Sequence, residues 1–279
     1  MSANRDTATA TPVPPAPLAI GPFEAQLRAA RSEGRKLLVP YVTGGLGADW
    51  CEIVRAAAAA GADAIEIGIP FSDPVMDGPT IQQASDRALR SGATPQSVLD
   101  SLRTIDAGVP LAVMTYANIV FHAGWERFAS QLHEANVAAA ILPDLPLDEA
   151  GDWCSAADAH SVETVLLAAP TAPDERLPRI CERSRGFVYA VGLLGVTGAR
   201  ESLAASALVI ARRLKLVTDK PLLVGVGIGS PAQAVEVCAS ADGVVIGSVV
   251  VQRMLEGGGP EGVAALVREY RTALDSHEW

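Results

Sequence analysis

Nowhere in the sequence does an apolar run approach the roughly 18 residues that a membrane span requires; the longest are short and are broken by Gly, Pro or charge. A soluble chain with no membrane partner is expected. Basic residues are also scarce. Lys and Arg number 22 against 32 Asp and Glu, a net charge of −10, and they form no stripe able to neutralise a phosphate backbone. Nucleic acid is therefore not expected as a partner. The first 20 residues lack the continuous apolar segment of a signal peptide. They carry Pro12, Pro14, Pro15 and Pro17 among Ala and Thr, with Arg5 the one base, so residues 1–20 read as a disordered leader. Cysteine is limited to Cys51, Cys154, Cys181 and Cys238, far apart, without C-x-x-C spacing, each in a helical pattern. Small buried hydrophobes in a reducing cytoplasm fit that usage better than disulfides or metal ligands. No spacing of histidines suggests a metal.

What is present is alternation. With 279 residues, 49% of them hydrophobic, the chain is long enough for one domain over residues 21–279 that buries roughly three quarters of its unfolded surface. A helix over 23–35, with Phe23, Leu27 and Ala30 at helical spacing, can cover one end of a barrel before the first strand begins. Strands are expected over 36–43, 63–71, 110–118, 137–144, 162–170, 186–193, 221–228 and 243–251. Helices fill the intervals at 48–60, 79–90, 95–106, 125–135, 147–159, 174–184, 206–218, 231–240 and 260–275. Eight strands, each followed by helix, count out a parallel α/β protein of the (β/α)₈ TIM-barrel class with an extra N-terminal helix. A doubly wound sheet is the rival, and V-G-V-G-I-G at 224–229 superficially resembles a dinucleotide loop. The spacing is G-x-G-x-G, and it ends the seventh strand rather than the first, so it fails as one.

Residues 63–82, DAIEIGIPFSDPVMDGPTIQ, organise the rest. By the two-residue period of a strand, Glu66 shares a face with Ala64 and Gly68, while Ile65, Ile67 and Ile69 share the other. Bulky isoleucines would pack outward against helices, leaving Glu66 to project into a cavity beside small residues. A carboxylate there is costly unless it is paired or does chemistry. Asp73 and Asp77 follow on a Pro- and Gly-punctuated loop. The bland alternative is that Glu66 pairs with a basic residue and that Asp73 or Asp77 N-caps the next helix.

Glycine clusters follow the late strands: Gly195 and Gly198; Gly225, Gly227 and Gly229; and Gly247 with Ser248. In a TIM barrel the loops after strands seven and eight, with a helix N-terminus, cradle phosphate on backbone N–H groups. Tight turns are the alternative for any one cluster. Tyr41, Tyr116 and Tyr189 lie towards the ends of strands one, three and six. With Met114, Ile141 and Leu167 they could wall an apolar pocket for a flat ring, although each alone is as readily core. His122, placed in the loop after strand three, is a candidate acid or base, or simply solvated.

These motifs resemble the tryptophan synthase α-subunit family. The resemblance is carried by E-I-G-I-P-F-S-D-P-V-M-D-G-P-T-I-Q at 66–82, Y-A-N at 116–118, L-P-D-L-P at 142–146, A-A-P-T at 168–171, G-V-T-G-A at 195–199, G-x-G-I-x-S-P at 225–231 and I-G-S at 246–248. It covers the chain from Phe23 onward, in the same order. It implies a lyase that cleaves indole-3-glycerol phosphate by a retro-aldol reaction into indole and glyceraldehyde 3-phosphate. Glu66 would be the acid and base, and Asp77 would hold the indole N–H and the positive charge developing on the ring. Tyr41, Tyr116, Ile141, Tyr189 and Thr197 would contact substrate, and Gly198, Gly227, Gly247 and Ser248 its phosphate. No metal or Schiff-base lysine is called for. Pyridoxal phosphate is expected only on a β-subunit partner, in an α2β2 assembly.

The chain departs from the family pattern in two loops. Gly192, Leu193 and Leu194 stand before Gly195, where the family commonly has a polar or basic residue, and the first loop reads T-G-G-L-G-A-D. Those loops are tied to closure and partner signalling rather than to the core chemistry. Leucine at 193 leads to the expectation that closure is only weakly coupled to a partner. Three alternatives accompany the α-subunit reading: a stand-alone lyase releasing indole for specialised metabolism, a different phosphate-binding barrel such as a sugar-phosphate isomerase, and a catalytically silent regulatory subunit.

Overall fold

Alternating strand and helix close on themselves. The computed structural model describes residues 19–192, 200–225 and 227–279. The leader expected over 1–20 falls almost wholly outside the described residues, as do Leu193, Thr197 and Gly198. The described elements run α1 (Pro22–Ser32), β1 (Leu37–Thr43), α2 (Trp50–Ala59), β2 (Ile65–Gly68), α3 (Pro79–Arg90), α4 (Pro95–Leu102), β3 (Leu111–Met114), α5 (Ala117–Ala123), α6 (Trp125–Glu134) and β4 (Val137–Ile141). A single 3₁₀ turn, Leu147–Glu149, then leads to α7 (Gly151–Ala159), β5 (Glu163–Ala168), α8 (Arg176–Arg183), β6 (Val188–Ala190) and α9 (Arg200–Lys215). The chain ends with β7 (Leu222–Val224), α10 (Pro231–Cys238), β8 (Gly243–Ile246), α11 (Ser248–Leu255) and α12 (Gly259–Asp275). Each strand pairs in parallel with the next, and β8 pairs with β1 (Leu37 opposite Gly243), so the sheet is a closed eight-stranded barrel.

The inside-outside alternation follows the pleat. Leu37 and Val39 face the interior with Ala64, Ala112, Ala139 and Leu223, while Leu38, Val42, Ile65 and Ile67 pack outward with the helices. Phe23 and Leu27 of α1, both fully buried, join the interior cluster, so α1 plugs the end of the barrel where the strands begin. Carboxylates hold that end shut. Glu163 accepts the Phe23 and Glu24 N–H groups (2.7 and 3.1 Å), satisfying a helix start whose N-cap is Gly21. Asp63 accepts Leu38 N–H (2.8 Å) and Arg35 Nε (2.6 Å), and Asp242 accepts Leu222 N–H (2.9 Å).

Several element ends differ from those expected. The third strand stops at Met114, not 118. The Ala117 N–H is taken by the Asp144 carboxylate (2.9 Å), which helps start α5, and that helix ends against Gly124 at φ 89°. His122 therefore lies exposed on a helix rather than in a loop. The eighth strand ends at Ile246, and Ser248 to Val251, expected as its continuation, open α11. Their β-branched run suits a strand, but Val250 and Val251 are fully buried on the inner face of that helix, and packing overrides the preference. The ninth helix begins at Arg200, earlier than expected, and stops before 218.

Candidate active site

At the opposite end of the barrel, where the strands finish, Glu66 is 1% exposed and its Oε2 has no hydrogen-bond partner. That separates it from the other buried carboxylates. Asp63, Glu163 and Asp242 bind backbone N–H groups, and Glu24 accepts Arg28 Nε (2.7 Å). Among the described residues, Glu66 is the buried carboxylate with an oxygen left unpaired. The alternative in which it pairs with a basic residue fails in this structure. Burial first, and the nearby charge of Asp77 second, push its carboxyl up from 4.5 to about 8. That shift favours the protonated carboxyl at neutral pH.

Asp77 is half-buried on the loop leaving β2. It does not cap α3, whose N-cap is Gly78 without a side-chain bond, and Asp73 is exposed, accepting only the Ser72 hydroxyl (2.6 Å). Asp77 Oδ2 instead accepts the Tyr116 hydroxyl (3.0 Å), and that hydroxyl accepts the Met76 N–H (3.0 Å). Burial pushes the Asp77 carboxyl upward, and the Tyr116 hydrogen bond opposes the shift.

Sequence alone casts Tyr116 as an apolar wall; its polar link to Asp77 is not visible there. The Y-A-N motif marks the residue without revealing its partner. Tyr41 and Tyr189 are buried, and both phenols are pushed well above their usual value by burial and by the charges of Glu66 and Asp77, which places all four groups in one site. Ile141, fully buried, and the partly buried Met114 and Leu167 belong to the same interior cluster as Tyr189. His122 is not among these groups.

The late glycines divide. Ser230 caps α10 with its own side chain on Gln233 N–H (3.3 Å), whereas α11 begins at Ser248 behind Gly247 with no side-chain cap, so its first N–H groups are unclaimed by a cap. A Cβ on Gly247 would come 3.7 Å from Tyr41 Cβ, which sets this helix start beside the tyrosine on β1. Gly227 has φ +82°, a conformation only glycine adopts without strain. Among the described residues no group of three or more His, Cys, Asp or Glu could hold a metal ion, and no helix is long and apolar enough to cross a membrane.

The chain as a whole is similar to known proteins. The family described as tryptophan synthase alpha chain matches residues 27–275. The tryptophan synthase alpha chain of Streptomyces coelicolor is 46% identical over 256 residues, covering 87% of this chain and 93% of that protein. That of Thermobifida fusca is 43% identical, covering 89% and 94%. Among solved structures, tryptophan synthase from M. tuberculosis in an aminoacrylate- and BRD0059-bound form superposes with a TM-score of 0.83 at 35% identity, covering 92% of this chain and 99% of that one. Tryptophan synthase subunit alpha from Legionella pneumophila gives 0.82 at 30% identity, covering 93% and 100%.

Proposed function

The chain belongs to the tryptophan synthase alpha chain family, enzymes of tryptophan biosynthesis, and from that premise we propose that it is a lyase cleaving indole-3-glycerol phosphate with Glu66 as its proton carrier. The observation that carries the assignment is the unpaired, buried Glu66 carboxyl beside Asp77.

Neutral Glu66 gives its proton to the indole carbon that bears the glycerol chain. The ring becomes a cation, and the Asp77 carboxylate, accepting the indole N–H, stabilises that charge. Glu66, now ionised, takes the proton of the adjacent glycerol hydroxyl. The hydroxyl oxygen forms the aldehyde carbonyl as the carbon–carbon bond breaks, and its electron pair returns to the ring. Indole and glyceraldehyde 3-phosphate leave, and Glu66 is again neutral. Tyr41, Tyr116, Ile141 and Tyr189 wall the ring, and Thr197, outside the described residues, is assigned to substrate by the family resemblance alone. Gly227, Gly247 and Ser248 offer backbone N–H groups to the phosphate, with the uncapped start of α11 adding its dipole; Gly198, outside the described residues, is assigned there by the family resemblance alone.

No step uses a cofactor in this chain; pyridoxal phosphate belongs to a β-subunit that would consume the indole. Such a partner is supported by the likeness to tryptophan synthase from M. tuberculosis. It is also supported by apolar side chains left exposed beside the site: Val75 at 78% and Met76 at 46% on the Asp77 loop, and Phe121 at 69% on α5. Free thiols at all four cysteines fit a cytoplasmic setting. Leu193 supports closure weakly coupled to the partner, which a comparison of indole release with and without a β-subunit tests. The direct test of the function is indole release from indole-3-glycerol phosphate by the purified chain. Absence of indole would favour an isomerase or a silent subunit.

A further inference from the structure

Tyr116 holds the Asp77 loop at both ends. Its ring meets Phe71 at 5.0 Å between centroids, tilted by 31°, where the loop leaves the barrel. At the other end its hydroxyl lies 3.0 Å from both Met76 N and Asp77 Oδ2. The residue itself is fixed: it is 4% exposed, it stands at the N-cap of α5, and the next N–H is bound by Asp144. The Met76 N–H can only donate, so the phenol oxygen accepts there and its own proton is directed at Asp77. An ionised carboxylate receives that proton as a charge-assisted hydrogen bond, whereas a protonated one receives it weakly.

We propose that Tyr116 is a positioning residue: its hydroxyl, oriented by the Met76 amide, fixes the Asp77 carboxylate in the ionised form that receives the indole N–H. This rests on the lyase reading above and gives the two carboxyls different duties, a neutral Glu66 and an anionic Asp77. Among the described residues, the titratable groups around Asp77 are Glu66 from β2, Tyr41 from β1 and Tyr189 from β6, with Asp144 acting on Tyr116 from the loop after β4. All are acids, so the Tyr116 hydroxyl is the member of this group that favours the anion.

The test is Tyr116→Phe, which keeps the ring and its contact with Phe71, assayed by indole release from indole-3-glycerol phosphate. The expected result is a fall in kcat of roughly ten- to a hundredfold, the worth of a hydrogen bond to a charged group, with KM little changed. The acid limb of the kcat/KM profile moves to higher pH while the alkaline limb stays. In an Asp77→Asn background the same substitution costs less than about twofold, because its target is gone. Tyr116→3-fluorotyrosine, which preserves the fold and donates more strongly, moves the acid limb the other way. An unchanged acid limb in both variants, or equal losses with and without Asp77, overturns the role of Tyr116 while wild-type indole release leaves the lyase reading standing. A wild-type protein that releases no indole overturns that reading, and the role of Tyr116 with it.

Discussion

Tyr41 occupies the space into which any side chain on Gly68 would have to grow: a Cβ built there would lie 1.7 Å from the Tyr41 hydroxyl oxygen. The same relation recurs between Tyr189 and Gly225, at 2.1 Å. In each case an aromatic from one strand leans over the glycine at the end of the next, and Tyr41 is itself in register with Glu66. Gly68→Ala is therefore expected to displace Tyr41 and to cost about 1–3 kcal/mol as overpacking. Urea denaturation reads the cost and indole release reads the damage to the site. Unchanged values for both would mean that the tyrosine seat is not needed.

Glu66→Gln is expected to stabilise the protein in a pH-dependent way. The folded carboxyl, at about 8, lies above its ordinary 4.5. Its burial therefore favours folding fully below about 4.5, and that contribution is lost as pH rises to about 8. Glutamine does not titrate, so the variant should gain on the wild type across that window, by on the order of a few kcal/mol at pH 8. Denaturant midpoints at pH 5 and pH 8 check this; a gap that does not widen would show that Glu66 is not held neutral.

The proposed mechanism ties the rate to the same group. In it cleavage begins with a proton from neutral Glu66, so kcat/KM is expected to fall as pH rises through about 8. A profile flat to pH 10 would require another acid.

Gly227 and Gly247 should fail differently when changed to alanine. At Gly227 the positive φ makes alanine strained, at a cost of roughly 1–2 kcal/mol in stability. At Gly247 φ is −106° and a Cβ meets nothing closer than 3.7 Å, so stability should hold. Its methyl would instead crowd a phosphate on the α11 start and raise KM. Thermal unfolding together with KM separates the two; a destabilised Gly247→Ala with normal KM would remove it from the phosphate site.

Much of the fold was legible in the chain because barrel strands obey a simple rule: the alternation of Glu66 and Gly68 with Ile65 and Ile67 assigned inside and outside correctly. Strand ends were less legible. Residues 115–118 and 248–251 read as strand by composition, yet helix starts depend on the Asp144 carboxylate and on inward packing of Val250 and Val251, which are long-range or tertiary facts. The neighbours of Glu66 and Asp77 in sequence mark both carboxylates as candidates, and the family resemblance gives them their expected roles. The hydroxyl that directs Asp77 was not, because Tyr116 is 39 residues away and nothing local to either residue records the bond.

The most direct test of Glu66 as proton carrier is the rate of indole release from indole-3-glycerol phosphate by Glu66→Gln beside the wild type, with substrate binding measured in parallel. The amide keeps the shape of the side chain and cannot carry the proton. The expected rate is lower by about 10²- to 10⁴-fold, the usual worth of a general acid and base, with binding retained. A variant that still releases indole within about tenfold of the wild-type rate would contradict the assignment of Glu66 as the proton carrier.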